Sequence, residues 1–243
     1  MTKRLVLVSG GMDSATALAI AAQDVSAEDL AAISFRYGSR HENAEIGASM
    51  NVARYYCNNH SVIPISTQIF EGSGSALIGE SAVPNEEYHD PRTETPSVTI
   101  VPFRNAIFMS IAVAVAESRG FDEVWIGTHG TDSLGWAYPD CSPEFTGAFS
   151  AAAYIGTLHK VRIIAPFMCM TKSEVVTTAY KFHAPLQDTW SCYRGGNMQC
   201  GECPTCLERI KAFQDAGFID PVKYIVEPKW VAGLRMWPMR KEF

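Results

Sequence analysis

The chain has 243 residues, of which 47% are hydrophobic and 19% charged. A chain of this length buries a large core, and this composition excludes an intrinsically disordered or fibrous protein. With 20 Lys plus Arg against 26 Asp plus Glu the formal net charge is −6, so the overall field repels nucleic acid. A small anionic substrate stays possible, because helix termini and backbone amides can bind it.

The N-terminal apolar run breaks at Gly10, too early for a signal-peptide core, and no apolar run has membrane-spanning length. Seven cysteines is an odd count, and four of them fall between Cys192 and Cys206. That spacing suits a metal better than paired disulfides. We therefore expect a cytoplasmic protein that does not contact a membrane.

Short apolar runs bounded by turns predict five strands, at residues 4–8, 30–35, 61–65, 123–127 and 161–165. Helical stretches are predicted at residues 13–22, 42–57, 104–119, 143–155, 171–182 and near 204–216. This alternation predicts an α/β fold with a Rossmann-like parallel sheet and helices on both faces. Ligands bind such sheets beyond the carboxyl ends of the strands, so the loops after the first four strands should share one cleft.

Two stretches break the alternation. Residues 79–101 show no periodicity and contain several prolines, which favours a lid or a dimer arm. From Trp190 onward a cysteine-rich loop, a helix and an aromatic tail follow. We therefore divide the chain into a main domain, residues 1–189, and a C-terminal segment with its tail, residues 190–243. The aromatic tail favours packing on a partner subunit, and we expect a homodimer.

The junction of the first strand and the first helix reads VSGGMDS at residues 8–14. Its two glycines allow a tight turn with exposed N–H groups, and the helix N-terminus adds positive potential, so the loop suits a phosphate. It is not a Walker A loop, because it is shorter and lacks the Gly-Lys-Ser/Thr ending. An ordinary turn with Asp13 or Ser14 as helix cap is the alternative.

Four cysteines lie at close spacing near the C-terminus: Cys192, Cys200, Cys203 and Cys206. Four thiolates at this spacing suit a closed, structural Zn²⁺ site with no open position for catalysis. An iron–sulfur cluster and four unrelated buried thiols are the alternatives.

The string SGGMDS resembles the pyrophosphate-binding loop of the N-type ATP pyrophosphatases, the PP-loop superfamily. Taken with later motifs, the chain resembles the 7-cyano-7-deazaguanine synthase family. Those motifs are FRYGSRH at 35–41, VPFRN at 101–105, YPDC at 138–141, TKSE at 171–174 and the four cysteines. The resemblance implies an adenine nucleotide alpha hydrolase-like PP-loop domain in residues 1–189 and a zinc-binding appendage in residues 190–243.

The resemblance further implies an ATP-dependent carbon–nitrogen ligase of queuosine or 7-deazapurine biosynthesis. Its substrates would be 7-carboxy-7-deazaguanine and ammonia, its product the nitrile, and its cofactors ATP, Mg²⁺ and structural Zn²⁺. Two adenylation rounds would each release AMP and pyrophosphate. The alternatives are a variant that stops at the amide, a PP-loop tRNA-thiolating enzyme and a non-catalytic, zinc-stabilised ATP-binding module. The negative net charge argues against the tRNA enzyme.

Two basic residues are expected near the nucleotide because each lies at the start of a predicted helix. Arg104 and Lys172 open helices, where a cation opposes the helix dipole, so an anionic ligand explains them better than helix stability does. Asp13 is also a candidate for holding Mg²⁺. The full predicted nucleotide set is Val8, Ser9, Gly10, Gly11, Met12, Asp13, Ser14, Arg40, Arg104 and Asn105. The predicted catalytic set is Asp13, His41, Arg104, Asp140 and Lys172, of which Lys172 is a second candidate for phosphate contact.

Further residues are expected at the chemistry and the substrate base. His41 is a candidate proton shuttle, with a structural histidine as the alternative. Asp140 is the candidate for accepting from the N1–H and the exocyclic amine of a deazaguanine, with Glu144 and Asp132 as rivals. Cys141 is expected to be a buried thiol rather than a nucleophile.

Three departures from the family pattern lie in loops on the substrate side. Ser39 stands where relatives usually have Gln, and Ser142 stands in place of a common arginine. The spacing from Asp132 to Tyr138 is two residues longer than the usual Asp-to-Tyr spacing of the family. These changes bear on substrate choice and leave the expected use of ATP unchanged. The nitrile is still expected as the main product, because Arg40 and Arg104 remain available as cations.

Overall fold

The computed structural model describes residues 2–79, 83, 85, 97–130, 132–133 and 138–239. The strands of its central sheet are β1 (Arg4–Leu7), β2 (Leu30–Arg36), β3 (His60–Pro64), β4 (Glu123–Trp125) and β5 (Arg162–Ile164). The helices are α1 (Met12–Ala21), α2 (Glu42–Ala53), α3 (Arg104–Arg119), α4 (Pro143–Gly156), α5 (Lys172–Lys181) and α6 (Pro204–Asp215). Two short strands follow, β6 (Phe218–Ile219) and β7 (Arg235–Met236).

The five strands run parallel in the order β3-β2-β1-β4-β5. In the centre, Leu5 of β1 lies between Ala31 of β2 and Val124 of β4. The chain moves outward from β1 in one direction through β2 and β3 and then in the other through β4 and β5. Such a reversal opens a crevice at the carboxyl ends of the strands on either side of it, here β1 and β4.

Side chains alternate between the two faces of the sheet. On one face Val6 and Ala32 pack in a core that includes Val52 of α2, Val176 of α5 and Phe213 of α6. On the other face Leu5, Ile33 and Phe35 pack against Met109 and Ala112 of α3, with Phe145 of α4 at the border. Helices therefore cover both faces, and the predicted fold class is confirmed.

Local sequence explains where two of the helices begin. Ser142 Oγ accepts a hydrogen bond from the Phe145 N–H at 3.1 Å and so caps α4, whose first residue is Pro143. Thr171 and Glu174 form a capping box at the start of α5. The residue that departs from the family pattern at position 142 therefore has a structural role in this chain.

The predicted elements lie within a few residues of the observed ones. The largest difference is at the end of α2, predicted to reach residue 57 but ending at Ala53. The Tyr55 N–H there donates to Val52 O, the tighter i to i−3 pattern that commonly closes a helix. Most of the predicted lid or arm, at residues 80–82, 84 and 86–96, lies outside the described residues. Residues 134–137, the centre of the segment between Asp132 and Tyr138, also lie outside the described residues.

The C-terminal tail packs on its own chain. Trp237 is 4% exposed and its ring lies 5.4 Å from that of Phe213 and 5.3 Å from that of Phe218. This ring completes the core under α6, so it supplies no argument for a partner subunit, and the homodimer stays a prediction. The boundary between residues 189 and 190 also stays a prediction. Within the part of the chain that the structure describes, no helix is long and apolar enough to cross a membrane.

Candidate active site

A cavity of about 240 Å³ lies at the carboxyl ends of β1, β2 and β4, where the order of the strands reverses. The loop after β1 and the starts of α1, α3 and α5 form its walls, and α6 closes one side. Charged side chains that line it include Asp13, Arg104, Asp132, Lys172 and Glu208.

The loop after β1 can be built only with glycine at position 10. Gly10 has a φ of +88°, and a Cβ there would lie 2.3 Å from the backbone oxygen of Glu45. The Trp190 N–H donates to the Gly10 carbonyl at 2.9 Å, which fixes the loop from the other side. The close approach to α2 therefore explains the first of the two glycines.

No side chain caps the start of α1, which has Gly11 at its N-cap. Ser9 and Ser14 lie on either side, with their hydroxyl oxygens 3.1 Å apart. At the end of β4, a Cβ on Gly127 would lie 2.7 Å from the Ser14 nitrogen, so the strand packs directly beneath this turn. The backbone N–H groups and two hydroxyls at this N-terminus form a surface suited to phosphate oxygens.

A charged cluster lies beside the loop, centred on Lys172. Its Nζ lies 3.2 Å from Asp13 Oδ2, 3.2 Å from Glu208 Oε2 and 4.0 Å from Asp132 Oδ1. His129 Nε2 lies 3.2 Å from the same Asp132 oxygen. Residues from four separate elements or loops thus meet at one point.

Burial sets the protonation of this cluster. Desolvation lowers the pKa of His129 from 6.5 to about 4, assisted by Lys172, so the imidazole is neutral at pH 7. Desolvation raises the pKa of Asp132 from 3.8 to about 6. Burial alone would lower the pKa of Lys172, but Asp13, Glu208 and Asp132 hold it well above its ordinary value. Desolvation also raises the pKa of Glu208. Three acidic side chains therefore surround a single ammonium, so the cluster holds more acidic than basic groups.

Two features of the cluster suit a cation. Asp13 Oδ1 is buried, and within the described part of the chain it meets no hydrogen-bond partner. His129, Asp132 and Glu208 can each offer one ligand atom, and these atoms lie within 4.8 Å of one another. Carboxylate oxygens are the ligands that Mg²⁺ prefers.

Arg104 lines the cavity from the start of α3. Its Nη1 donates to Tyr37 Oη at 3.1 Å, and its guanidinium carbon lies 5.7 Å from the centre of the Tyr37 ring and 6.0 Å from that of Phe108. Although burial acts to lower it, the nearby Tyr37, Tyr193, Glu45 and Asp140 hold the pKa of Arg104 above its usual value. The residue before it, Phe103, has a φ of +54°, a strained conformation for a bulky side chain.

Tyrosines and a thiol form the wall beside Arg104. Tyr138 Oη lies 2.5 Å from Thr99 Oγ1 and 3.5 Å from Tyr193 Oη. Burial raises the pKa of the Cys141 thiol well above its ordinary value, and Asn105 Nδ2 lies 3.2 Å from its sulfur. A thiol held protonated in this way is a poor nucleophile.

Three predicted residues lie away from the charged cluster or outside the cavity lining. Asp140 Oδ2 accepts a hydrogen bond from the Asn105 N–H at 3.0 Å, at the start of α3, and the cavity is lined by its rival Asp132 instead. Arg40 is exposed, and its Nε donates to the carbonyl of Gly79 at 2.9 Å. His41 is 2% exposed, with Nε2 3.3 Å from Glu45 Oε1. The predicted roles of these three residues stay predictions.

The four cysteines meet at a single point beside α6. The sulfur of Cys203 lies 3.9 Å from that of Cys192, Cys200 and Cys206 are also 3.9 Å apart, and all four sulfurs lie within 4.8 Å of one another. Four sulfurs at about 2.3 Å from one tetrahedral Zn²⁺ would lie about 3.8 Å apart. The cluster fits one ion of that kind.

Sequence reasoning missed His129 and Glu208. His129 follows β4 closely, and the cleft was already expected at the end of that strand, so the position carried a usable signal. Glu208 has no such signal, because a single glutamate on an amphipathic helix is usually a surface residue.

Comparisons with known proteins place this site in context. The family described as "Queuosine biosynthesis protein QueC" matches residues 3–217. The 7-cyano-7-deazaguanine synthase of Thermoplasma acidophilum is 40% identical over 226 residues, covering 91% of this chain and 92% of that protein. The enzyme of the same name from Agrobacterium fabrum is 40% identical over 238 residues, covering 97% of each.

Among solved structures, the U34-tRNA thiolase NcsA from Methanococcus maripaludis, with its 4Fe–4S cluster, is similar at a TM-score of 0.43 and 15% sequence identity. The match covers 75% of this chain and 58% of that one. Similarity at this level bears on neither ligand nor function.

Proposed function

Because this chain belongs to the queuosine biosynthesis protein QueC family, we propose that it is an ATP-dependent ligase that makes 7-cyano-7-deazaguanine from 7-carboxy-7-deazaguanine and ammonia. The observation that carries the proposal is the cavity itself. The uncapped start of α1, the Lys172 ammonium and the Arg104 guanidinium all face this one space.

The chemistry requires two adenylation rounds. A substrate carboxylate oxygen attacks the α-phosphorus of ATP, and pyrophosphate leaves with the electrons of the broken P–O bond. Ammonia then displaces AMP and gives the amide. The amide oxygen then attacks the α-phosphorus of a second ATP and pyrophosphate leaves again. Loss of AMP and of the two amide protons leaves the nitrile. Each adenylation places new charge on a departing pyrophosphate, where preorganised donors lower the barrier.

This chain's residues divide that work by location. The N–H groups and hydroxyls of residues 9–14 bind the departing pyrophosphate, and Lys172 neutralises part of its charge. Arg104, which lines the same cavity from the start of α3, suits the carboxylate of the incoming substrate, because a guanidinium binds carboxylates through paired hydrogen bonds. The imidazole of His129 is neutral at pH 7 and lies beside Asp132, so it adds no positive charge to the cluster.

Mg²⁺ fits the charged cluster, and Asp13 and Asp132 are the residues that would hold it. The free oxygen of Asp13 and the surplus of carboxylates support this assignment, since ATP is itself an anion and would be repelled without a cation. When bound, Mg²⁺ neutralises charge on the phosphate oxygens.

Zn²⁺ is the ion we propose for Cys192, Cys200, Cys203 and Cys206. Four sulfurs as close together as these suit one ion, whereas an iron–sulfur cluster holds its cysteines on separate iron atoms, further apart. All four protein ligands would be used, so the ion has no open position and serves the fold.

The proposal is tested by supplying ATP, Mg²⁺, ammonia and 7-carboxy-7-deazaguanine and identifying products by mass spectrometry. We expect AMP, pyrophosphate and the nitrile, formed only when the acid is present. Release of ADP would rule the proposal out. Supplying the amide separates two outcomes: a full synthase converts it to nitrile with ATP, whereas a ligase that stops at the amide leaves it unchanged.

A further inference from the structure

Glu208 lies in the nucleotide cavity although it belongs to the cysteine-rich part of the chain. Its Oε2 is 3.2 Å from Lys172 Nζ, and Asp13 Oδ2 approaches the same ammonium at 3.2 Å. The two carboxylates come from α6 and α1, while the lysine opens α5. One ammonium is therefore held between two separate helices.

Helix α6 is anchored on both sides of Glu208 in sequence. Cys203 and Cys206 lie at its N-terminal end, so the metal site fixes its first turn. On the other side, Arg209 directly follows Glu208 and is 1% exposed. It donates to both carboxylate oxygens of Asp220, at 2.6 and 2.9 Å, and to Thr189 Oγ1 at 2.7 Å. A buried, fully bonded arginine resists displacement, so the helix cannot slide along its axis at low cost.

The cysteine-rich segment, from Trp190 onward, also contacts the loop after β1 directly. The Trp190 N–H donates to the Gly10 carbonyl at 2.9 Å, and the Trp190 indole nitrogen donates to the Cys192 carbonyl at 2.8 Å. The cysteine-rich segment thus contacts the nucleotide site at two places, the loop through Trp190 and the ammonium through Glu208.

We infer that Glu208 is a positioning residue that, together with Asp13, holds the Lys172 ammonium where it meets the departing pyrophosphate. The inference rests on the proposed function. A lysine carries its charge on a flexible four-carbon stem, so an ammonium held closely by Asp13 alone, with Asp132 at 4.0 Å, samples several positions. A second close carboxylate on a rigid helix restricts it before ATP arrives, and preorganised charge is what stabilises a transition state.

The test compares Glu208→Gln with Asp215→Asn. The first keeps the size of the side chain and removes its charge; the second makes the same kind of change on the same helix at an exposed pair with Lys211, 2.9 Å away. For Glu208→Gln we expect kcat for AMP formation to fall about 10 to 100-fold, while the KM for ATP, the metal content and Tm stay near wild type. Asp215→Asn should match wild type. A wild-type kcat in Glu208→Gln overturns the inference.

A double-mutant cycle asks whether Glu208 acts through Lys172. If it does, Glu208→Gln has no further effect on kcat in a Lys172→Ala background. Losses that multiply overturn the inference. So does a higher Mg²⁺ requirement in Glu208→Gln at unchanged kcat, which would make Glu208 a metal ligand. Glu208→Asp keeps the charge on a shorter side chain, so it should recover part of the activity, and it replaces Glu208→Gln in the comparison should that variant fail to fold.

The two proposals fail in different ways. A wild-type protein that forms no AMP from the acid defeats the proposed function. The role of Glu208 is then tested by the rate at which acetic anhydride acylates Lys172, followed by mass spectrometry. If Glu208 holds the ammonium, Lys172 should react several-fold faster in Glu208→Gln than in wild type or Asp215→Asn. Equal rates in all three proteins overturn the inference.

Discussion

Asp13 carries a carboxylate into the first turn of α1, facing Lys172 across 3.2 Å, and its second oxygen is buried without a hydrogen-bond partner among the described residues. Asp13→Asn keeps the size of the side chain and removes the charge that suits Mg²⁺. We expect kcat for AMP formation to fall about 10² to 10³-fold, the loss typical of one electrostatic contact to a transition state. An unchanged Tm shows that the fold persists, and near-wild-type turnover contradicts the assigned role.

Gly10 is constrained both by its backbone and by its neighbour. Gly10→Ala places a Cβ 2.3 Å from the Glu45 oxygen at a φ of +88°, whereas Gly72→Ala meets nothing within 4 Å at a φ of +75°. The control therefore reports backbone strain alone, about 1 kcal/mol. Denaturant unfolding should show a clearly larger loss for Gly10→Ala, together with weaker ATP binding. Equal losses in the two variants would mean that the contact with α2 is relaxed without cost.

Which site residues can be predicted depends on how their position is encoded. Asp13, Arg104 and Lys172 lie at strand ends or helix starts, and a parallel sheet brings such positions to one edge, so local pattern is enough. Glu208 reaches the same cavity only because α6 packs against α5, a contact between residues 36 apart in sequence. Tertiary packing of that kind leaves no trace in periodicity.

At the scale of elements, the cysteine cluster and the start of α6 form one unit. Cys203→Ser should lose the metal and melt at a lower temperature, because binding of a structural ion contributes directly to folding free energy. Cys169→Ser is the control, since that thiol is exposed and free. Metal analysis and thermal unfolding of the two variants are the measurement. Iron with visible absorption, in place of zinc, would contradict the identity of the ion.

Strand and helix positions were predictable because burial and helix ends both leave a pattern in the sequence. Leu30 to Phe35 read as one apolar strand since β2 is covered on both faces, and α3 begins at Arg104 after a proline and ends before Gly120, which has a φ of +72°. The short strands β6 and β7 were not predicted. They have two residues each, too few for any period to appear.

For the whole molecule, His129 makes stability depend on pH. Burial lowers its pKa from 6.5 to about 4, so between these values the unfolded chain binds a proton that the folded protein does not. Its contribution is complete above pH 6.5 and is lost as the pH falls to 4, a total of about 3 kcal/mol. His129→Gln should therefore lose less stability over that range than wild type, measured by urea unfolding at several pH values.

Asp132 changes stability in the opposite sense. Burial raises its pKa from 3.8 to about 6, so the folded protein binds the extra proton and stability falls as pH rises between these values. This contribution is present in both wild type and His129→Gln, and the difference between their curves isolates the histidine. Parallel curves would show that His129 titrates alike in the folded and unfolded states.

The central place of β1 has a consequence for how the chain folds. Arg4 of β1 contacts Glu123 of β4 across 119 positions of sequence, and one of the two edges of β1 is paired through that ladder. Contacts between residues so far apart slow folding, because a long loop must close first. During synthesis at about 5 to 20 residues per second, β1 waits roughly 6 to 24 s for its second partner to be made. Strand β1 is thus made before the other strands of this sheet, and the backbone N–H and C=O groups along one of its edges stay without their final partner in the interval.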